Sequence, residues 1–176
     1  AFFIVLGLLL KDSESLIKNV NINSTRCGLL NVLQRQMNAN ISLLNIRDQG
    51  EPMADILVNS SELSSTIIEP YQIPSMIDEI PILCVAAAFA KGQTVIKGLA
   101  ELRVKETDRV DSMVKNLKRA GLDIKDRVVN DDCQIVINPS PESRLRGAEF
   151  ESCSDHRTAM SMVVFGSVVG DGSLNE

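Results

Sequence analysis

The chain contains no tryptophan, one tyrosine and one histidine, and aromatic residues make up only 3% of its 176 positions. A core built almost without large rings must come from Leu, Ile, Val, Ala and Met. The 44% apolar content is enough to bury one, which excludes general disorder. Cysteine occurs four times, at Cys27, Cys84, Cys133 and Cys153, but never as a CxxC pair. With only His156 as an imidazole, a zinc centre of the Cys/His kind is not expected. Scattered thiols fit a reducing compartment, and Cys84, inside an apolar run, reads as core.

Positive charge is also scarce. Lys and Arg number 18 against 23 Asp and Glu, for a formal net charge of −5. That argues against a nucleic-acid or membrane-surface partner, both of which call for a basic face. The apolar stretch Ala1–Leu10 is too short to cross a bilayer, and lacks the basic start and small-residue cleavage site of a signal peptide. It is expected to be a core helix cut at its start. The missing initiator Met and the abrupt end at Asn175-Glu176 are read as further signs of truncation.

What is present is a repeat. Three apolar helix-like runs, Ala1–Leu10, Ile82–Ala90 and Thr158–Val169, each lead into a turn: Lys11-Asp12-Ser13, Lys91-Gly92-Gln93 and Gly170-Asp171-Gly172-Ser173. Strand-like segments follow the first two, at Leu16–Val20 and Thr94–Gly98. Amphipathic helices come next, at Gly28–Met37 and Val110–Ala120. In the second, Val110, Met113, Val114 and Leu117 form one apolar stripe that Gly121 ends. Strands at Ile41–Ile46 and Asp55–Val58, then Asp123–Val129 and Gln134–Asn138, close the two units. Gln49–Pro52 and Glu69–Pro74 read as loops. The turns recur about every 80 residues, which predicts an α+β domain of repeated helix-strand-helix-strand-strand units. The units are about 1–68, 69–150 and an incomplete 151–176.

Three charged clusters precede helix starts: Ser75–Pro81, Arg103–Arg109 and Ser154–Arg157. Pro81 suits a first helical turn, Thr107 or Asp108 can cap the second helix, and Ser154 or Asp155 the third. Helix N-termini favour anions, and Arg or Lys beside them adds charge-assisted hydrogen bonds. Arg103, Lys105, Arg109, His156 and Arg157 are therefore candidates for a basic pocket in an acidic protein. Asp78 and Glu106 are candidates for proton exchange. Spacing alone favours caps and a solvated surface over a binding site.

Four strings carry a resemblance. Leu102-Arg103-Val104-Lys105-Glu106-Thr107-Asp108-Arg109 and Asp155-His156-Arg157-Thr158-Ala159-Met160-Ser161 resemble two signatures of EPSP synthases, the 3-phosphoshikimate 1-carboxyvinyltransferases. Pro74–Glu79 and Ala86–Gly92 are similar to further family segments, in the same order. The resemblance implies a two-domain fold of repeated helix-and-strand units, of which this chain would be most of the C-terminal domain, with the N-terminal domain absent. It implies transfer of the enolpyruvyl group of phosphoenolpyruvate to the 5-hydroxyl of 3-phosphoshikimate, with release of phosphate and no metal or organic cofactor. Asp78 then resembles the carboxylate that binds phosphoshikimate hydroxyls and takes the attacking proton, and Lys105 a phosphoshikimate ligand. Glu106 resembles the acid that protonates phosphoenolpyruvate; Arg109 and Arg157, with His156 beside them, resemble its clamp. A cytoplasmic, monomeric parent enzyme of aromatic amino acid biosynthesis is implied, with the isolated piece inactive. Glu101 stands where many members have Asn, and Thr158 where they have an apolar residue. Two alternatives remain: a carboxyvinyltransferase acting on UDP-N-acetylglucosamine, or a truncated product with no catalysis.

Overall fold

The computed structural model describes residues 1–48, 50–105, 107–141 and 144–170. Among these the elements run α1 (Phe2–Leu9), β1 (Glu14–Asn21), α2 (Gly28–Gln36), β2 (Ile41–Arg47), β3 (Met53–Asn59), β4 (Ile67–Ile68), α3 (Ile80–Ala88), β5 (Thr94–Ile96), α4 (Arg109–Arg119), β6 (Ile124–Val129), β7 (Asp132–Ile137) and α5 (His156–Val169). Short 3-10 turns at Ser24–Arg26, Pro70–Ser75, Ile77–Glu79 and Ala100–Val104 connect them. The architecture is α+β, as the periodicity predicts.

Two sheets share one wiring. In the first the order is β1-β3-β2, all antiparallel; in the second β5-β7-β6 repeats it, with β4 added in parallel beside β5. The two-residue β4 was not foreseen, because so short a strand has no periodicity to read. In the first sheet both outer strands bulge, at Asn19 (φ 57°) and Asn45 (φ 50°). Asp55 of the central strand serves both, accepting the Asn19 N–H at 2.8 Å and the Asn45 amide at 2.7 Å.

The apolar helices α1, α3 and α5 pack on one another. All nine residues of α3 are buried, and its Ala86-Ala87-Ala88 end offers little side-chain bulk to keep its neighbours away. Phe165 of α5 is fully buried, 5.6 Å from the Phe89 ring and 5.9 Å edge-on from Phe150. The α4 stripe Val110, Met113, Val114 and Leu117 faces the core. Gly121 ends this helix at φ +91°, where a Cβ would lie 2.4 Å from the Arg144 carbonyl oxygen.

Two boundaries differ from expectation. β5 stops at Ile96 rather than Gly98, because Gly98 turns left-handed (φ +79°) and gives its N–H to the Asp132 carboxylate at 2.7 Å. Glu69–Pro74 is no open loop: Pro70 starts a 3-10 turn, and the Gln72 side chain accepts the Glu69 N–H at 2.9 Å. The third predicted turn is described only at Gly170, its residues 171–173 lying outside the described residues, as does Gln49 of the first loop.

The 3-10 turn matters because it leads to Asp78. Its end packs on the first residue of α2, where a Cβ on Gly28 would sit 2.3 Å from Ser75 Oγ and 2.9 Å from the Ser75 carbonyl carbon. Gly28→Ala is therefore expected to destabilise the chain by about 1–3 kcal/mol through overpacking, read from chemical denaturation. An unchanged denaturation midpoint would show that this contact yields freely.

Candidate active site

Asp78 sits in the turn before α3, Arg109 is the first residue of α4, and Arg157 the second of α5. The fold brings these together. Asp78 bridges the arginines, accepting from Arg109 Nη1 at 3.2 Å through one oxygen and from Arg157 Nη2 at 2.9 Å through the other. Arg157 Nη1 also donates to the Asp78 backbone carbonyl at 3.4 Å.

Asp155, which sequence reasoning offered only as a cap, does two things. One oxygen accepts the Arg157 N–H at 2.9 Å and starts α5, so Asp155 rather than Ser154 is the cap. Its other oxygen takes Arg109 Nε at 2.8 Å, with the Thr158 hydroxyl at 3.5 Å from the same atom. Thr158 thus faces a buried carboxylate. The available signal was that a capping aspartate uses one oxygen and leaves the second to be satisfied. Asp108, not Thr107, caps α4 through the Asp111 N–H at 2.9 Å.

Arg109 is only 4% exposed and Asp155 3%. A guanidinium out of water needs paired carboxylates to offset its lost hydration, and here two arginines meet two aspartates. Glu79, beside Asp78, is half-buried; burial raises its carboxyl above the ordinary value and Asp78 adds to this, while Arg157 opposes it.

The other predicted residues part company. Arg103 turns to the second sheet, pairing with Asp108 at 2.8 Å, with Asp126, and with Cys133 Sγ at 3.2 Å. It ties the α4 cap to β6 and β7 rather than joining the arginine pair. Burial would raise the Asp126 carboxyl, but the bond and charge of Arg103, a backbone hydrogen bond and the Lys118 charge together hold it low. Lys105 is partly exposed and its ammonium pairs with Glu101 four residues earlier. His156 is exposed at the start of α5. Glu106 lies outside the described residues. Cys84 is core, its thiol pushed up to about 12 by burial. Among the described residues, no group of three or more His, Cys, Asp and Glu is placed to hold a metal ion. No described helix is long and apolar enough to cross a membrane.

This fold is shared with enolpyruvyl transferases. NikO from Streptomyces tendae, an enolpyruvyl transferase, matches 93% of the chain and 34% of its own with a TM-score of 0.63 at 18% identity, a likeness of fold alone. The chain belongs to the EPSP synthase (3-phosphoshikimate 1-carboxyvinyltransferase) family, whose sequence profile matches residues 1–174. The 3-phosphoshikimate 1-carboxyvinyltransferase of Pelobacter propionicus is 46% identical over 97% of the chain, and that of Geotalea uraniireducens 47% identical over all of it. The solved EPSP synthase from Acinetobacter baumannii covers 93% of the chain at 39% identity with a TM-score of 0.82. The chain spans 38% to 40% of the length of these relatives.

Two outcomes follow from this geometry. Arg109→Met strands Asp155 in a dry site and is expected to cost about 3–5 kcal/mol of stability in chemical denaturation, as for a buried pair that loses one partner. Glu79 has the opposite sign of linkage to a salt-bridged acid. Its folded carboxyl is raised, so its contribution is fully present below the unfolded value near 4.5 and is lost as pH rises through the folded one. Glu79→Gln should therefore flatten the fall in thermal midpoint above that pH, and an unchanged slope would remove Glu79 as its source.

Proposed function

We propose that the chain is the C-terminal portion of an enzyme that transfers the enolpyruvyl group of phosphoenolpyruvate to the 5-hydroxyl of 3-phosphoshikimate, releasing phosphate. Family membership supports the reaction class. The single structural observation that carries the reading is the convergence of Arg109 and Arg157, at two helix N-termini, on one carboxylate. Phosphoenolpyruvate carries a phosphate and a carboxylate, and paired guanidinium groups suit planar or bidentate oxyanions.

In this reading Arg109 and Arg157 hold phosphoenolpyruvate, with His156 at the rim, and Lys105 contacts phosphoshikimate. Asp78 accepts the proton of the attacking hydroxyl, and Glu106 protonates the methylene carbon of phosphoenolpyruvate. Protonation there builds cationic character on the adjacent carbon, where the hydroxyl adds to give a tetrahedral intermediate. Loss of phosphate, together with a proton from the new methyl group, restores the vinyl ether. One acid, one base and cations around a multiply charged pair meet the demands of that chemistry. The reaction serves aromatic amino acid biosynthesis in the cytoplasm. Residues 1–68 and 69–150 form two repeat units and 151–176 opens a third, the remaining substrate ligands coming from an N-terminal domain.

The test is phosphate release from phosphoenolpyruvate and 3-phosphoshikimate, by the 176-residue chain alone and joined to an N-terminal half. The chain alone should be inactive and the joined protein active. Turnover by the chain alone would sink the need for a second domain, and turnover of a UDP-amino sugar in place of phosphoshikimate would sink the substrate. In the joined protein, Glu106→Gln and Asp78→Ala should each lower kcat by at least about 100-fold, the usual scale for losing a general acid or base.

A further inference from the structure

The arginines that would clamp an incoming oxyanion already hold one belonging to the chain. Asp78 gives one oxygen to Arg109 at 3.2 Å and the other to Arg157 at 2.9 Å, and so takes up donors that a phosphate or carboxylate ligand would use. The two aspartates of the cluster are not equivalent in this respect. Asp155 has a side chain 1% exposed, is fixed by the start of α5, and meets Arg109 through Nε. Asp78 has a side chain 35% exposed and rides on the three-residue turn Ile77–Glu79, outside any α-helix. Water can take over its hydration if it leaves; nothing comparable is open to Asp155.

We propose that Asp78 is a built-in occupant of the anion seat between Arg109 and Arg157, and that an outside oxyanion gains Arg157 only when Asp78 lets it go. This rests on reading the pair as an anion clamp, and adds to it a self-blocking contact. The contact keeps the arginines aligned and their charge matched while the seat holds no ligand. It also makes Asp78 a competitor of any oxyanion for the same N–H groups. Neutralising Asp78 therefore has opposite effects on two readouts, impairing proton transfer while strengthening simple anion binding.

The experiment titrates the 176-residue chain with inorganic phosphate at constant ionic strength, following arginine side-chain N–H resonances by NMR. Asp78→Asn should bind phosphate at least tenfold more tightly than wild type, with Asp78→Ser as the second variant if Asn folds poorly. Glu79→Gln removes an equal charge next door but frees no bridging contact, and should gain less than threefold. Adding Arg157→Gln to Asp78→Asn should abolish the gain. Affinity of Asp78→Asn within threefold of wild type, or a gain that Glu79→Gln equals, overturns the proposal. Turnover plays no part in this titration, so a wrong substrate assignment would show in the phosphate-release assay and leave this result unaffected.

Discussion

The buried pairing of Arg109 with Asp155 is the constraint on which the rest of the charged cluster depends. A guanidinium so little exposed has lost most of its hydration and needs a close carboxylate to offset that loss, and Asp155 supplies one at 2.8 Å. The same aspartate caps α5, so one side chain sets the start of α5 against the start of α4. Arg157 follows one residue after His156 begins that helix, and Asp78 then spans the gap between the two arginines. Each position is defined by the one before it.

The repeat explains why these charges meet. α3 and α5 are apolar on most sides and pack with α1 as a buried group, while α4 lays its stripe over them. Their starts carry Asp78, Arg109 and Arg157, and caps or prolines at those starts give the chain its entry angles. Polar chemistry is held at helix ends because helix interiors here are given over to packing. Arg103 completes the support from the other side, tying the Asp108 cap to the second sheet.

Much of the fold was legible because apolar periodicity is a strong signal over nine or more residues. The stripe from Val110 to Leu117, the all-apolar α3 and the Gly121 stop each follow from residue type and spacing. What stayed hidden was short or conformational: the two-residue β4, the 3-10 turn at Pro70–Ser75, and the early end of β5 at a left-handed Gly98. In the site, motif resemblance pointed to Asp78, Arg109 and Arg157 before any contact was known. Charge clustering alone did not separate Arg103 from them, since two arginines six residues apart look alike until the chain decides which one faces the sheet. Nor could it show that Asp155 uses both of its oxygens.

The sequence by itself determined the class of fold, the positions of the long helices and the family, since these rest on local periodicity and on strings of residues that need no partner to be read. The tertiary structure alone decided which charges pair. Asp78, Arg109 and Asp155 are separated by 31 and 46 residues along the chain, and a hydrogen bond across such distances exists only after the intervening helices and sheet have packed. Burial then turns a cap into a counter-ion, and packing sets Asp78 between the two arginines.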